Sequence, residues 1–208
     1  MKDKNDNFGM CSKFTYRFLC VVIKIIFRIC HPIIHIEGRE NLPEGAAVLC
    51  ANHSSFSDPI WIVAWANLKR HPRIMAKKEL FSHSLLSWFF TKLGAFPVDR
   101  DSTDISAIKQ SLKTLKDDNK LLIFPEGTRI REGIDSKPHG GAILIANKVN
   151  APVIPVYLSV KKGLFSPVRL IFGKPFSSDF GGERPDGTAL EARSKEMMDT
   201  IYALGEQV

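Results

Sequence analysis

The sequence reads AAVLCANHSSFSDP over residues 46–59, and this stretch decides the fold. Its apolar first part, residues 46–51, predicts a buried strand. Asp58 and Pro59 predict the start of a helix, with Asp58 as the N-cap and Pro59 in the first turn. His53 therefore lies on a loop that leaves a strand. Ligands of open α/β sheets collect just beyond such strand ends, so His53 and Asp58 are candidates for a base and its orienting carboxylate.

The composition indicates a globular chain, and its net charge predicts binding to an anionic partner. The 208 residues are 44% hydrophobic and 25% charged, which is typical of one folded domain. The net charge of +7 favours binding to nucleic acid, a membrane surface or a phosphorylated substrate. The four cysteines form no C-x-x-C pair, so we expect no zinc site, no disulfide framework and no metal cofactor. Free thiols fit a reducing cytoplasm.

The segment from Cys11 to Cys30 is strongly apolar and predicts a helix that ends before Pro32. At about 100° per residue its four cations fall within an arc of about 60°: Lys13, Arg17, Lys24 and Arg28. Two cations in mid-segment argue against a membrane span. We expect a helix lying in the membrane interface, with its cations at lipid phosphates. The alternative is a core helix whose cations snorkel to water.

Strands and helices alternate through the rest of the chain. One helical region is expected from residue 79 to residue 93, and Ser102 or Thr103 is expected to cap a second helix that runs to about residue 116. The inner face of this second helix is expected to carry Ile105, Ile108, Leu112 and Leu115. The alternation of strands and helices predicts an α/β fold with a mostly parallel central sheet covered by helices on both faces. Residues 1–32 form a membrane-associated helical segment in this interpretation, and residues 33–208 form the second domain.

Four of the predicted strands end in polar groups. These groups are His53 with Asp58, then Lys77, then Arg100, and finally Glu126 with Arg129. The carboxyl ends of parallel strands share one edge of the sheet, and right-handed crossovers keep the helices away from that edge. We therefore expect these groups to converge on one cleft.

The chemistry of these residues suits proton transfer beside a phosphate. His53 can take a proton from a substrate hydroxyl, with Asp58 fixing its tautomer. Arginines bind phosphate through two N–H groups at once, which suits Arg100 and Arg129. Lys77 or a backbone N–H near Gly127 is a candidate for stabilising an oxyanion.

Four sequence boxes occur in an order that resembles a known family. They are Asn52-His53-Ser54-Ser55-Phe56-Ser57-Asp58, Gly94-Ala95-Phe96-Pro97-Val98-Asp99-Arg100, Phe124-Pro125-Glu126-Gly127-Thr128-Arg129 and Val153-Ile154-Pro155-Val156. Over residues 33–173 the chain resembles the lysophosphatidate acyltransferases of the glycerolipid acyltransferase superfamily. That resemblance implies a glycerolipid acyltransferase-like fold for residues 33–208. It also implies acyl transfer from acyl-CoA or acyl-carrier protein to the sn-2 hydroxyl of 1-acylglycerol-3-phosphate, with no cofactor.

By the same likeness His53 is the general base and Asp58 is its partner. Arg100 and the turn formed by Glu126, Gly127, Thr128 and Arg129 bind the phosphate-bearing acceptor, and Lys77 lies near the reacting carbonyl. The fourth box is associated with the acyl or acceptor pocket. The expected location is the cytoplasmic face of the cell membrane, with peripheral or monotopic attachment.

Rival functions remain open at this point. Another lysolipid or glycerol-3-phosphate is an alternative acceptor, and a membrane-associated thioesterase would use water instead. A basic module that only docks on anionic membranes explains the charge but not His53 and Asp58. A metallohydrolase needs at least three converging ligands, and nucleic-acid binding has no recognisable motif here.

Overall fold

A computed structural model describes residues 13–68, 72–99, 104–129 and 137–206. The helices are α1 Lys13–Cys30, α2 Asp58–Trp65, α3 Ser84–Lys92, α4 Ile105–Lys116, α5 Gly141–Lys148 and α6 Gly187–Glu206. The strands are β1 Ile34–Glu37, β2 Ala47–Ala51, β3 Arg73–Lys77, β4 Ala95–Val98, β5 Lys120–Ile123, β6 Val153–Leu158 and β7 Val168–Phe172. Short 3₁₀ turns cover Arg39–Asn41 and Lys78–Phe81.

The strands form one seven-stranded sheet in the order β1-β7-β6-β2-β5-β3-β4. Every neighbouring pair is parallel except β6 with β7, which is antiparallel. The mostly parallel sheet predicted from the sequence is therefore confirmed. The strands β2, β5, β3 and β4 are consecutive neighbours and point the same way, so their carboxyl ends share one edge, as predicted.

Two apolar cores cover the two faces of the sheet. Alternate residues of β2 divide between them: Ala47, Leu49 and Ala51 face the core that contains α2, and Val48 and Cys50 face the core that contains α4, α5 and α6. All five residues of β2 are fully buried. A continuous apolar run such as β2 is what a central parallel strand covered on both faces requires.

The helix α1 packs on α2 through aromatic rings. The ring of Phe27 stacks on Trp61 at 4.3 Å and on Trp65 at 5.8 Å, measured between ring centroids. Tyr16 of the same helix is buried. The inward face of α1 thus completes the core around α2, which is apolar on all sides.

The opposite face of α1 remains apolar and exposed. Its large side chains are between 51% and 83% exposed: Phe14, Phe18, Val21, Ile25, Ile26 and Ile29. Within the described residues, no helix has both the length and the apolar character needed to cross a bilayer.

Several local predictions need correction. Ser57 is the N-cap of α2, and Asp58 is the first helical residue, because the Asp58 carboxylate turns back to the preceding loop. Asp104 caps α4 by accepting a hydrogen bond from the backbone N–H of Ala107 at 2.9 Å. The caps expected at Ser102 or Thr103 lie outside the described residues.

Two helices also differ from the expected pattern. The helical region expected from residue 79 to residue 93 is divided into a 3₁₀ turn and α3. Ile105, expected on the inner face of α4, is 62% exposed. The buried face of α4 includes Leu115, as expected, together with Ala107, Ser111 and Thr114, whose small side chains allow the helix to approach the sheet closely.

Asn52 ties the start of the His53 loop to the neighbouring strand. Its side chain donates a hydrogen bond to the carbonyl oxygen of Leu158 and accepts one from the Leu158 N–H, both at 2.8 Å. Asn52 and Leu158 are both buried. The amide therefore continues the pairing of β2 with β6 for one residue beyond the strand.

Replacing Asn52 with Ala leaves the backbone N–H and C=O of Leu158 without partners. Since each unsatisfied buried group costs about 1–3 kcal/mol, we expect the free energy of unfolding to fall by about 2–4 kcal/mol. Urea denaturation followed by circular dichroism measures it. The control Asp199→Ala, on the exposed side of α6, should change it by less than about 0.5 kcal/mol. Equal stability of the two variants would contradict this role of Asn52.

Candidate active site

The loop between β2 and α2 is wrapped around the carboxylate of Asp58. Its Oδ2 atom accepts hydrogen bonds from the backbone N–H groups of Ser54 at 2.6 Å and Ser55 at 2.7 Å. The Asp58 side chain is only 1% exposed. Because the carboxylate at the first position of α2 reaches back to these N–H groups, it sets the path of the loop.

The same oxygen of Asp58 lies 3.0 Å from Nδ1 of His53. An ionised carboxylate only accepts hydrogen bonds, so Nδ1 carries a proton and Nε2 is the ring nitrogen left to act as a base. The imidazole stacks on Phe124, with ring centroids 4.2 Å apart, and is 14% exposed. The ring is thus fixed from one side by a charge and from another by an apolar face.

Asp58 stays ionised although it is buried. Burial alone raises the pKa of a carboxyl group. Here the hydrogen bond with His53, the positive charge of Lys162 and the N–H of Ser55 outweigh burial and hold the pKa of Asp58 below its usual value. The carboxylate can therefore stabilise an imidazolium on His53 at neutral pH.

A second buried carboxylate, Glu126, supports the loop from β5. One oxygen accepts a hydrogen bond from the backbone N–H of His53 at 2.8 Å, and the other accepts one from the Tyr202 hydroxyl at 2.5 Å. Burial raises the pKa of Glu126 above its usual value. Both oxygens of Glu126 thus hold protein groups, whereas the sequence predicted this residue among the ligands of the acceptor.

An apolar cavity of about 320 Å³ adjoins His53. Tyr16, Cys20 and Ile23 of α1 form part of its wall, and α2, β3 and α3 supply further apolar residues. Three polar residues predicted from the sequence line the same cavity: Lys77, Thr128 and Arg129. A volume of this size is within the range of ligand pockets in proteins.

The other predicted site residues are placed as follows. Lys77 ends β3 and lies 3.3 Å from the carboxylate of Glu79, with 47% of its side chain exposed. Arg129 is exposed. The backbone N–H of Gly127 donates to the carbonyl of Phe124 at 3.0 Å. The N–H of Gly127 itself is therefore engaged in the turn, whereas Lys77 lines the cavity. Arg100 lies outside the described residues.

Gly127 has a φ of +66°, and a Cβ atom there would come within 2.8 Å of the His139 ring. Only glycine meets both conditions without strain.

In the described part of the chain, no group of three or more His, Cys, Asp or Glu side chains is placed to hold a metal ion.

Two residues of this site were missed at the level of sequence. Lys162 follows β6, and Tyr202 lies on α6. The signal for Lys162 is the polar group that follows a strand, as it is for His53, because β6 ends at Leu158 and Lys162 comes four positions later. Tyr202 has no comparable sequence pattern, because only the packing of α6 on β6 brings it to Glu126.

Comparisons with known proteins identify the family. A family model described as acyltransferase matches residues 33–159. The chain belongs to the acyltransferase family. A 1-acyl-sn-glycerol-3-phosphate acyltransferase of Bacillus subtilis is 32% identical over 195 residues, which is 91% of this chain and 96% of that protein. One of Streptococcus pneumoniae is 34% identical over 149 residues, or 68% of this chain and 54% of that protein.

A solved structure shares the fold. The crystal structure of a 1-acyl-sn-glycerophosphate acyltransferase from Thermotoga maritima matches with a TM-score of 0.72 and 23% identity, over 100% of this chain and 85% of that one. These matches confirm the resemblance to lysophosphatidate acyltransferases and the prediction of an O-acyltransferase. The roles of individual residues stay predictions.

We expect His53→Ala to lower the acyl-transfer rate by about 10²-fold or more, the usual contribution of a positioned general base. Asp58→Asn should also lose activity, because it fixes the wrong tautomer of His53. The matched control is His35→Ala, which removes an exposed imidazole from the edge strand β1. Steady-state kinetics on folded variants measure the effect. Near-normal turnover by His53→Ala would rule out His53 as the base.

Proposed function

We propose that this acyltransferase moves a fatty acyl group from acyl-CoA or acyl-carrier protein to the sn-2 hydroxyl of 1-acylglycerol-3-phosphate, giving phosphatidate for phospholipid synthesis. The observation that carries the proposal is the His53–Asp58 pair beside an apolar cavity that Lys77 and Arg129 also line. Such a cavity suits a fatty chain, and the cations suit a phosphate. The names of the relatives point to the same substrate.

The proposed reaction begins with proton transfer. His53 Nε2 takes the proton of the acceptor hydroxyl as its oxygen attacks the thioester carbonyl, and Asp58 stabilises the resulting imidazolium. Lys77 stabilises the negative charge on the carbonyl oxygen of the tetrahedral intermediate. When the carbon–sulfur bond breaks, the thiol leaves with the proton from His53. The ester is formed and His53 is neutral again.

Each predicted acceptor ligand has a place in this scheme. Arg129 binds the phosphate of the acceptor, together with Arg100, and Thr128 and Gly127 shape the turn that presents Arg129. Glu126 supports this turn from behind through its bonds to His53 and Tyr202. No cofactor takes part in the scheme.

An acyl-transfer assay tests the function. Purified protein is given acyl-CoA or acyl-carrier protein, together with lysophosphatidate, other lysolipids or glycerol-3-phosphate, and mass spectrometry reads the products. Phosphatidate from lysophosphatidate is the expected product. Thioester cleavage that proceeds equally well without an acceptor would identify a thioesterase, and preference for another lysolipid would change the acceptor.

The residues of α1 that line the cavity are expected to limit the length of the acyl chain that it accepts. Cys20→Phe adds a ring to the wall of the cavity, so we expect kcat/KM for long acyl donors to fall about tenfold relative to short ones. Val21→Phe is the matched control, because Val21 lies next in the helix but is 53% exposed. Competition between donors of different length measures the ratio. An unchanged ratio in Cys20→Phe would place the acyl chain elsewhere.

The exposed apolar face of α1 supports attachment to a membrane. With α1 in the plane of the interface, Phe14, Phe18 and Ile25 enter the acyl region, and Arg17 and Arg28 meet lipid phosphates. This monotopic arrangement on the cytoplasmic face brings the cavity wall to the lipid substrates, since Tyr16 and Cys20 of the same helix line the cavity.

Reversing Arg17, Lys24 and Arg28 to Glu should weaken binding to anionic vesicles by about 10²-fold or more, since each cation contributes about 1 kcal/mol near such a surface. Binding to neutral vesicles should change little, and salt should reproduce part of the loss. The control reverses Lys109, Lys113 and Lys116 on α4, which gives the same net charge on the opposite side of the sheet. Equal loss in both variants would contradict a role for α1.

A further inference from the structure

Lys162 is a lysine whose ammonium group is buried beside the proposed base. It follows β6, and its side chain is only 5% exposed. Its Nζ atom lies 2.9 Å from Oδ1 of Asp58. It also donates hydrogen bonds to Oγ of Ser54 at 2.8 Å and to the carbonyl oxygen of Ser159 at 2.6 Å. Three oxygen atoms therefore surround a group that has three N–H donors.

This arrangement connects two neighbouring strands. Ser159 and Lys162 follow β6, whereas Ser54 and Asp58 belong to the connection that follows β2, and β2 pairs with β6 in the sheet. Burying an ammonium group costs free energy unless its charge and its N–H groups find partners. Two of the three partners of Lys162, Asp58 and Ser54, belong to the His53 connection, and the third, Ser159, follows β6 like Lys162 itself. The cation therefore joins the two connections.

We propose that Lys162 is a positioning residue that holds the Asp58 carboxylate charged and oriented towards His53. The inference rests on the proposed function of His53 and Asp58. Asp58 uses Oδ2 for His53 and for the N–H groups of the loop, and Lys162 occupies Oδ1. A rotation of the carboxylate away from His53 would break both sets of contacts. Lys162 thus acts on the reaction only through Asp58.

The surrounding charges make this cation necessary. The titratable groups that face Asp58 are His53 from its own loop, Lys162 from the β6 side and Glu126 from the β5 side, with Tyr202 of α6 behind Glu126. Two buried carboxylates therefore contact His53, Asp58 through the ring and Glu126 through the backbone N–H. Lys162 is the cation in contact with Asp58, and its charge helps to keep the pKa of Asp58 low.

A phosphate-binding role for Lys162 does not fit its contacts. The 5% exposure of its side chain leaves little surface for a substrate, and its three donors already face protein oxygens. Lys77 and Arg129, by contrast, line the cavity. Loss of Lys162 should therefore change the maximal rate more than either substrate constant.

The test compares Lys162→Met with a double variant that also carries Asp58→Asn. We expect Lys162→Met to lower kcat by about 10–10²-fold, with each KM within about twofold of the parent value. In the Asp58→Asn background the same change should have no further effect, because residues that act through one another are not additive. The control Lys161→Met, which changes the adjacent exposed lysine, should retain parent activity.

The pH profile gives a readout that a purely structural role would not move. Removing a cation 2.9 Å from Asp58 raises the pKa of that carboxyl group, so Asp58 becomes protonated at higher pH than in the parent. The acid limb of the rate profile should therefore move to higher pH. Glu126 and Tyr202 are present in both proteins, so their contribution to the pKa of Asp58 cancels when the parent is compared with Lys162→Met.

NMR separates failure of this proposal from failure of the proposed function. In ¹⁵N-histidine-labelled protein, the Nδ1–H proton of His53 should resonate at low field in the parent and lose that shift in Lys162→Met. The same spectra of Lys162→Gln, which keeps a hydrogen-bond donor without the charge, cover the case in which Lys162→Met does not fold. If the low-field His53 proton is present in the parent and lost in Lys162→Met, but the parent transfers no acyl group, the proposed function is overturned and the role of Lys162 is not.

Three results would overturn the role of Lys162. The first is a folded Lys162→Met or Lys162→Gln with parent kcat, acid limb and His53 resonance. The second is a double variant in which the loss of kcat equals the combined losses caused by Lys162→Met alone and Asp58→Asn alone. The third is a rise confined to the KM of lysophosphatidate, which would make Lys162 a ligand of the acceptor.

Discussion

Removing a carboxylate almost completely from water costs several kcal/mol unless charged and polar partners replace the lost hydration. Asp58 has such partners on both oxygens: the His53 ring and two loop N–H groups on one, and the Lys162 ammonium on the other. These contacts close the loop, set the start of α2 and orient the imidazole. The geometry of the site depends on this one buried anion.

The parallel sheet determines which residues can meet around that anion. The strands β6, β2 and β5 are consecutive neighbours, so the segments that follow them emerge side by side at one edge. They supply Lys162, His53 and Glu126: Lys162 contacts Asp58 and Ser54 in the His53 connection, and Glu126 accepts a hydrogen bond from the His53 backbone N–H. Glu126 holds the backbone of His53 while Asp58 holds its side chain, and this separation of tasks restricts the histidine in position and in orientation.

The helix α1 links the site to its surroundings. Tyr16, Cys20 and Phe27 face inward, where they line the cavity or pack on the tryptophans of α2. The outward face carries exposed Phe14 and Phe18. One helix can do both because its inward stripe repeats every three or four residues and leaves the other faces available. The apolar cavity and the apolar outer surface are therefore two sides of the same element.

Much of the site could be predicted from strand ends alone. A buried strand followed by His53, and a helix that begins near Asp58, place both residues at the ligand-binding edge of a parallel sheet, and the other strand ends add Lys77 and Glu126. The order of apolar runs is a local property, so the fold class and these residues follow from it. The direction of the Asp58 side chain does not, since an aspartate at a helix start can cap that helix or turn back to its loop.

The sequence by itself therefore determined the α/β class, the His53–Asp58 pair and the amphipathic pattern of α1. Only the tertiary structure decided what surrounds them. The strand order places β6 beside β2 and so brings Lys162 to Asp58, and the packing of α6 brings Tyr202 to Glu126. These partners are separated by 104 and 76 positions in the chain. No local pattern specifies such contacts, because they arise from how the strands and helices assemble.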